Sequence, residues 1–92
     1  MILGNVMGAV VSTVKYEQLQ GEKLLVVQPV DLEDKPAGLS FIALDRVSAG
    51  KGDKVIVNRE GGGTKIMYGE ALPVQAVIVA VVDRVHIEYH DD

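Results

Sequence analysis

The apolar residues of this chain fall into short blocks separated by glycine, proline and charge, and the blocks are built from the residue types that favour strands. The longest runs from Leu72 to Asp83, L-P-V-Q-A-V-I-V-A-V-V-D, and every residue from Ala76 to Val82 is apolar. Val and Ile crowd a helix at χ1 but fit a pleated surface; Pro73 marks the entrance of the strand and Asp83 its exit. From Val74 to Asp83 it would reach roughly 33 Å, against a radius of gyration of about 12 Å for a globule of this size. A strand with one wet face alternates polar and apolar residues, and this one does not. Its pattern calls for cover on both faces.

Four further strands follow from the same reading. Ile2 to Val14 alternates loosely around Gly4 and Gly8 and predicts a long strand that can bend or be approached closely. The polar stretch Lys15 to Glu22 predicts a loop, with a turn of helix around Tyr16 to Leu19. Lys23 to Val30 predicts the second strand, with Leu24 to Val27 apolar at both parities. Asp31 to Gly38, charged and holding Pro36, reads as a surface loop. Leu39 to Val47 is the third strand, with Phe41 and Leu44 as core anchors, and a glycine-containing connection leads to the fourth, Lys54 to Asn58. A loop through Gly61, Gly62 and Gly63 then runs toward a short helix near Met67. Five strands and only short helix signals predict an all-β fold, a small five-stranded OB-like barrel. Residues 1–85 form the single domain, and 86–92 a polar C-terminal tail. Asp45-Arg46-Val47 recurs as Asp83-Arg84-Val85, too short a match to mark a duplication.

Composition narrows the function classes. With 92 residues there is room for one core, and with one Phe and three Tyr that core is aliphatic. A net charge of −4 without a basic stripe argues against phosphate-backbone binding. The absence of cysteine excludes disulfide and thiol chemistry and suits a reducing compartment. Met1-Ile2-Leu3 is unlike an export signal, and no apolar run approaches the roughly 20 residues of a membrane helix.

Candidate chemistry is thin. Gly61-Gly62-Gly63-Thr64-Lys65 resembles a phosphate loop, but its lysine follows the threonine and its first glycine is misplaced, so it reads as a connection. His86, Glu88 and His90 would share one side of an extended tail, yet without further ligands they read as solvated rather than metal-binding. Ser12, Ser40 and Ser48 lack a nucleophile-elbow context. Glu33-Asp34, beside Lys35, and Asp91-Asp92, at the chain end, read as solvated charge. Tyr16, Phe41, Tyr68 and Tyr89 are too scattered to stack a nucleic acid strand. The expectation is a protein with no catalytic residues, no metal and no cofactor.

An apolar excess remains. In a monomeric barrel the outward residues are polar, yet Leu24 to Val27 and Ala76 to Val82 are apolar at both parities. Burial against copies of the same chain is the economical explanation; cover by loops or the helix near Met67 is the other.

Three blocks together resemble the EutN/CcmL vertex proteins of bacterial microcompartments. The first is Gly4-Asn5-Val6, Gly8, Val10 to Thr13, Lys15, Leu19, Gly21, Lys23-Leu24-Leu25, Val27-Gln28-Pro29 and Asp31. The second is Ala43, Asp45, Val47, Ala49-Gly50, Gly52-Asp53 and Val55, and the third Pro73-Val74, Ala76, Ile78-Val79 and Val82-Asp83. The chain departs from the family at Gly62 to Lys65, where an Ala-Arg ending is usual, at Gln75 in place of Asp, and at Ala80 in place of Gly. At Lys65 a point charge therefore replaces a rigid fork.

The resemblance implies a pentameric ring, capping vertices where sheets of hexameric shell proteins close around a carboxysome or metabolosome in the bacterial cytoplasm. Its partners would be copies of itself and hexameric tiles, not nucleic acid or membrane. Under it, Val77, Val79 and Val81 are assigned to the barrel interior and Ala76, Ile78 and Ala80 to the subunit interface. Gly61, Gly62, Gly63, Thr64 and Lys65 are assigned to contact with a neighbouring subunit or tile. The alternative function class is an OB-type binding module for a metabolite or nucleic acid.

Overall fold

A computed structural model describes residues 1–11, 21–59 and 76–86. Five strands, β1 (Ile2–Ala9), β2 (Lys23–Pro29), β3 (Phe41–Asp45), β4 (Lys54–Asn58) and β5 (Val77–Val81), close into a barrel in the order β1-β2-β3-β5-β4. The all-β, five-stranded barrel is the one expected from the sequence. The two short helix signals, around Tyr16 to Leu19 and near Met67, lie outside the described residues.

All neighbours are antiparallel except β3 and β5, which run parallel and pair only at Leu44↔Val77 and Asp45↔Ile78. This short seam lets a chain of few strands close. Alternation supplies the interior: Leu25 and Val27 from β2 and Val55 and Val57 from β4 point inward, meeting Val6, Ala43, Ala49, Ala76 and Ile78. Leu24, Val26 and Ile56, of the opposite parity, are only half-buried. Gly4 is required where β1 crosses β2, because a Cβ there would lie 2.5 Å from Val27 Cγ1 and 3.0 Å from the Gln28 carbonyl oxygen.

Two expectations about β5 change. Among the described residues β5 ends at Val81, short of Asp83, and pairing closes where Val82 N–H donates to the Lys54 carbonyl, the first residue of β4; Val74 and Gln75 lie outside the described residues. Cover on both faces also holds only at its start. Val77 and Ile78 are fully buried, Val79 and Ala80 half-buried, and Val81 is exposed. β3 likewise stops at Asp45, short of Val47, because the Asp45 side chain turns the chain away.

Candidate functional site

The barrel offers surfaces rather than a reaction centre, and two aspartates fix their shape. At one end, Asp45 Oδ1 accepts the backbone N–H groups of Val47 at 3.0 Å and Ala49 at 3.1 Å. This Asx-type turn ends β3, holds Ser48 at φ 58°, and tucks Ala49 into the core. The other oxygen, Oδ2, is buried and accepts no directed hydrogen bond. Lys23 Nζ, 3.3 Å away on the paired strand position, supplies charge there, while its shorter bond, 2.6 Å, goes to the Ala49 carbonyl. Beside it Arg46 donates to Glu22 at 2.6 Å.

The loop after β2 is more ordered than a solvated loop. Asp31 Oδ1 accepts from the N–H groups of Glu33 (2.8 Å) and Lys35 (3.0 Å), and Val30 pairs with Pro36. Asp34, at φ 65°, then reaches the barrel: its Oδ1 accepts from Lys54 Nζ at 2.6 Å and Asn5 Nδ2 at 2.9 Å. The Lys54 ammonium first and the Asn5 amide second hold this carboxyl below the ordinary carboxylate range. Gln28 Nε2 ties the far end of the loop by donating to the Gly38 carbonyl at 2.8 Å. Of the Glu33-Asp34 pair, Glu33 meets Lys35 in an exposed ion pair, whereas Asp34 fastens the loop down. The D-x-x-D spacing of Asp31 and Asp34 is the signal that could have revealed this.

Outside the barrel, cross-strand pairing places Leu3, Ile56 and Ala80 in one half-buried row across β1, β4 and β5. Val26 pairs with the exposed Ile42 on the β2–β3 side. Leu44 and Val77, which face away from the inner cluster, are nonetheless fully buried within the single chain. Intramolecular cover thus accounts for part of the apolar excess. A cleft of about 430 Å³ lies where the end of β5 passes the start of β4, beneath Leu32.

The assigned parity of β5 is reversed at its start. Ala76 and Ile78, expected to face a neighbour, are inside the barrel at 3% and 0% exposure, while Val81, expected inside, is 39% exposed. Beyond Ile78 a register shift opposite Ile56 and Val57 exchanges the parity: Val57 pairs with Ile78 but Ile56 with Ala80, leaving Val79 as an extra residue and setting Val81, at the strand's end, opposite Val55. Ala80 keeps its outward position. Gly61, Gly62, Gly63, Thr64 and Lys65 lie outside the described residues, as do Glu88 and His90. Among the described residues, Arg59 stacks over Phe41 at 4.4 Å from the ring centroid.

Comparison with known proteins gives one consistent answer. The family model described as Ethanolamine utilisation protein EutN/carboxysome matches residues 1–83. The chain is 37% identical over 89 residues to the carboxysome shell vertex protein CcmL of Nostoc, covering 96% of this chain and 88% of that protein. It is 32% identical over 85 residues to the microcompartment shell vertex protein EutN of Salmonella typhimurium, covering 92% and 86%. Among solved structures, the GrpN pentameric microcompartment shell protein from Rhodospirillum rubrum superposes with a TM-score of 0.81 at 38% identity, covering 96% of this chain and all of the other.

Proposed function

This chain belongs to the EutN/CcmL family, and from that premise we propose that it is a structural shell protein, a ring of five that caps the vertices of a bacterial microcompartment. A flat sheet of hexagonal tiles cannot enclose a volume without fivefold defects, so the function is geometric. Subunits of such a ring meet head to tail through heterologous contacts. Hexameric shell tiles are its outer partners, the bacterial cytoplasm is its location, and it performs no catalysis. Residues 1–85 make the ring and 86–92 form a tail.

The observation that carries this reading is the outer row Leu3–Ile56–Ala80, apolar on three adjacent strands where a monomeric barrel places polar groups. We assign this row to a neighbouring subunit; of the three interface residues expected on β5, Ala80 is the one it retains. The segment Gly61 to Lys65 is assigned to contact with a neighbour or tile. Native mass spectrometry tests the proposal: a species of five chains is expected, and a monomer at micromolar concentration overturns it. Saturable binding of a metabolite or single-stranded nucleic acid by a monomer would favour a binding module instead.

A further inference from the structure

One segment of the described surface is tied to the barrel through a single side chain. Every residue from Asp31 to Gly38 is exposed, so no apolar burial holds this loop down. Most of its hydrogen bonds are its own: Asp31 Oδ1 accepts from Glu33 and Lys35, Asp31 N–H donates to the Lys35 carbonyl, and Asp34 N–H donates to the Asp31 carbonyl. Others fix its two ends, from Val30 N–H to the Leu3 carbonyl, from Ala37 N–H to the Pro29 carbonyl and from Gln28 to Gly38. Between those ends, among the described residues, its bonds to the barrel converge on Asp34 Oδ1, which meets Lys54 Nζ at 2.6 Å and Asn5 Nδ2 at 2.9 Å. We propose that residues 31–36 are an electrostatic strap, hinged at both ends and latched on Lys54, which opens as a unit when salt screens the latch while the barrel stays folded.

The strap lies over the divide between two depressions. One, of about 340 Å³, is lined by Asn5, Met7, Asp34 and Lys51, and the other is the cleft of about 430 Å³ beneath Leu32. Gly52 and Lys54 line both, so release of Asp34 joins them into one groove along the turn from Gly50 to Lys54. That turn is fastened independently of the strap. Gly50 N–H donates to Asp53 Oδ2 at 2.8 Å, Gly52 N–H to the Val6 carbonyl at 2.9 Å, and Val82 N–H to the Lys54 carbonyl at 2.8 Å. Lys54 therefore keeps its place in β4 whether or not its ammonium holds the strap.

The latch is weak by construction. Asp34 is 58% exposed at its side chain, and an ion pair this open favours the bound state by roughly fivefold or less. At about 1 M salt, where charges are screened within roughly 3 Å, most of that preference is lost. A strap held by so small a margin exchanges between closed and open states, and screening shifts the balance toward the open one. The hinge suits this motion: Gly38, at φ 140°, occupies backbone space that other residues rarely enter.

The absence of cysteine permits a direct test on the full-length protein. Spin labels on Glu33→Cys and Lys51→Cys set the strap against the turn, and labelled chains diluted into wild type report distances within one chain, whatever the number of chains in a ring. Double electron–electron resonance is expected to show a narrow distribution at about 50 mM salt that lengthens and broadens at about 1 M. Asp34→Gly, which accepts the left-handed backbone and removes the carboxylate, is expected to be broad at both salt concentrations, as is Lys54→Met. Asp34→Asn keeps an acceptor without the charge and is expected to lose the salt dependence. Circular dichroism of all three is expected to keep the strand signal of wild type. A distribution that stays narrow in Asp34→Gly and Lys54→Met, or that ignores salt in the wild type, overturns the proposal. Loss of the strand signal in both Asp34→Gly and Lys54→Met overturns it too, because the contact would then belong to the fold and not to a latch.

Discussion

Asp34 Oδ1 lies 2.6 Å from Lys54 Nζ, joining a loop residue with left-handed backbone to the first residue of a barrel strand. The pair is exposed and is worth little as a salt bridge. Its importance is positional, since the same oxygen also accepts from Asn5 and so pins the loop to β1 and β4 together.

The sign of its pH dependence follows directly. Binding to Lys54 and Asn5 lowers the carboxyl pKa in the folded state. The clasp is therefore fully present above the unfolded carboxylate pKa of about 4 and is lost as pH falls through the lower folded value. Following the Asn5 side-chain amide by NMR from pH 7 to pH 2 is expected to show a transition below the ordinary Asp range. A transition above pH 5 would show that another group controls the loop.

Asp45 tests a different kind of polar group, one held in the barrel wall. Asp45→Ala leaves the part-buried N–H of Val47 and the buried N–H of Ala49 without their acceptor and is expected to cost roughly 2–4 kcal/mol, while Asp45→Asn keeps the Oδ1 acceptor and costs less. Urea unfolding of the two variants checks the order. Equal losses would mean that the Lys23 charge contact, and not the turn, is the stabilising element.

Gly4→Ala asks the crossing of β1 and β2 to admit a methyl group 2.5 Å from Val27 Cγ1. Val27 is fully buried and the neighbouring Gln28 carbonyl is backbone, so neither side yields easily. A loss of about 1–3 kcal/mol is expected, seen as a lower thermal midpoint. Gly8→Ala, where nothing lies within 4 Å of the added carbon, is the control.

Much of this architecture is legible from residue types. The blocks of Val, Ile and Leu gave five strands, and β4 has the bounds Lys54–Asn58 that its pattern predicts. Parity along β5 was not legible, for a physical reason: when both parities are apolar nothing in the side chains marks the inner face, and one extra residue at Val79 exchanges the faces midway. The loop Asp31 to Gly38 misled in another way. Charge and proline say surface, which is correct, but carboxylates that accept backbone N–H groups look in sequence like carboxylates bathed in water. The cleft beneath Leu32 depends on loop geometry that no periodicity encodes.

The last prediction separates folding from assembly within a single strand. Ile78 is fully buried among Leu25, Val57 and the rest of the inner cluster, whereas Ala80 pairs with Ile56 on the outer row. Ile78→Asp buries a charge without a partner and is expected to unfold the barrel, so its loss of assembly carries no information about the interface. Ala80→Asp places the same charge on the outer face and is expected to leave a folded monomer, with strand-rich circular dichroism retained and the mass of one chain in place of five. A folded Ala80→Asp ring would remove the outer row from the subunit junction. An unfolded Ala80→Asp chain would show instead that the row is held by this chain's own residues, and that the apolar excess is satisfied without a neighbour.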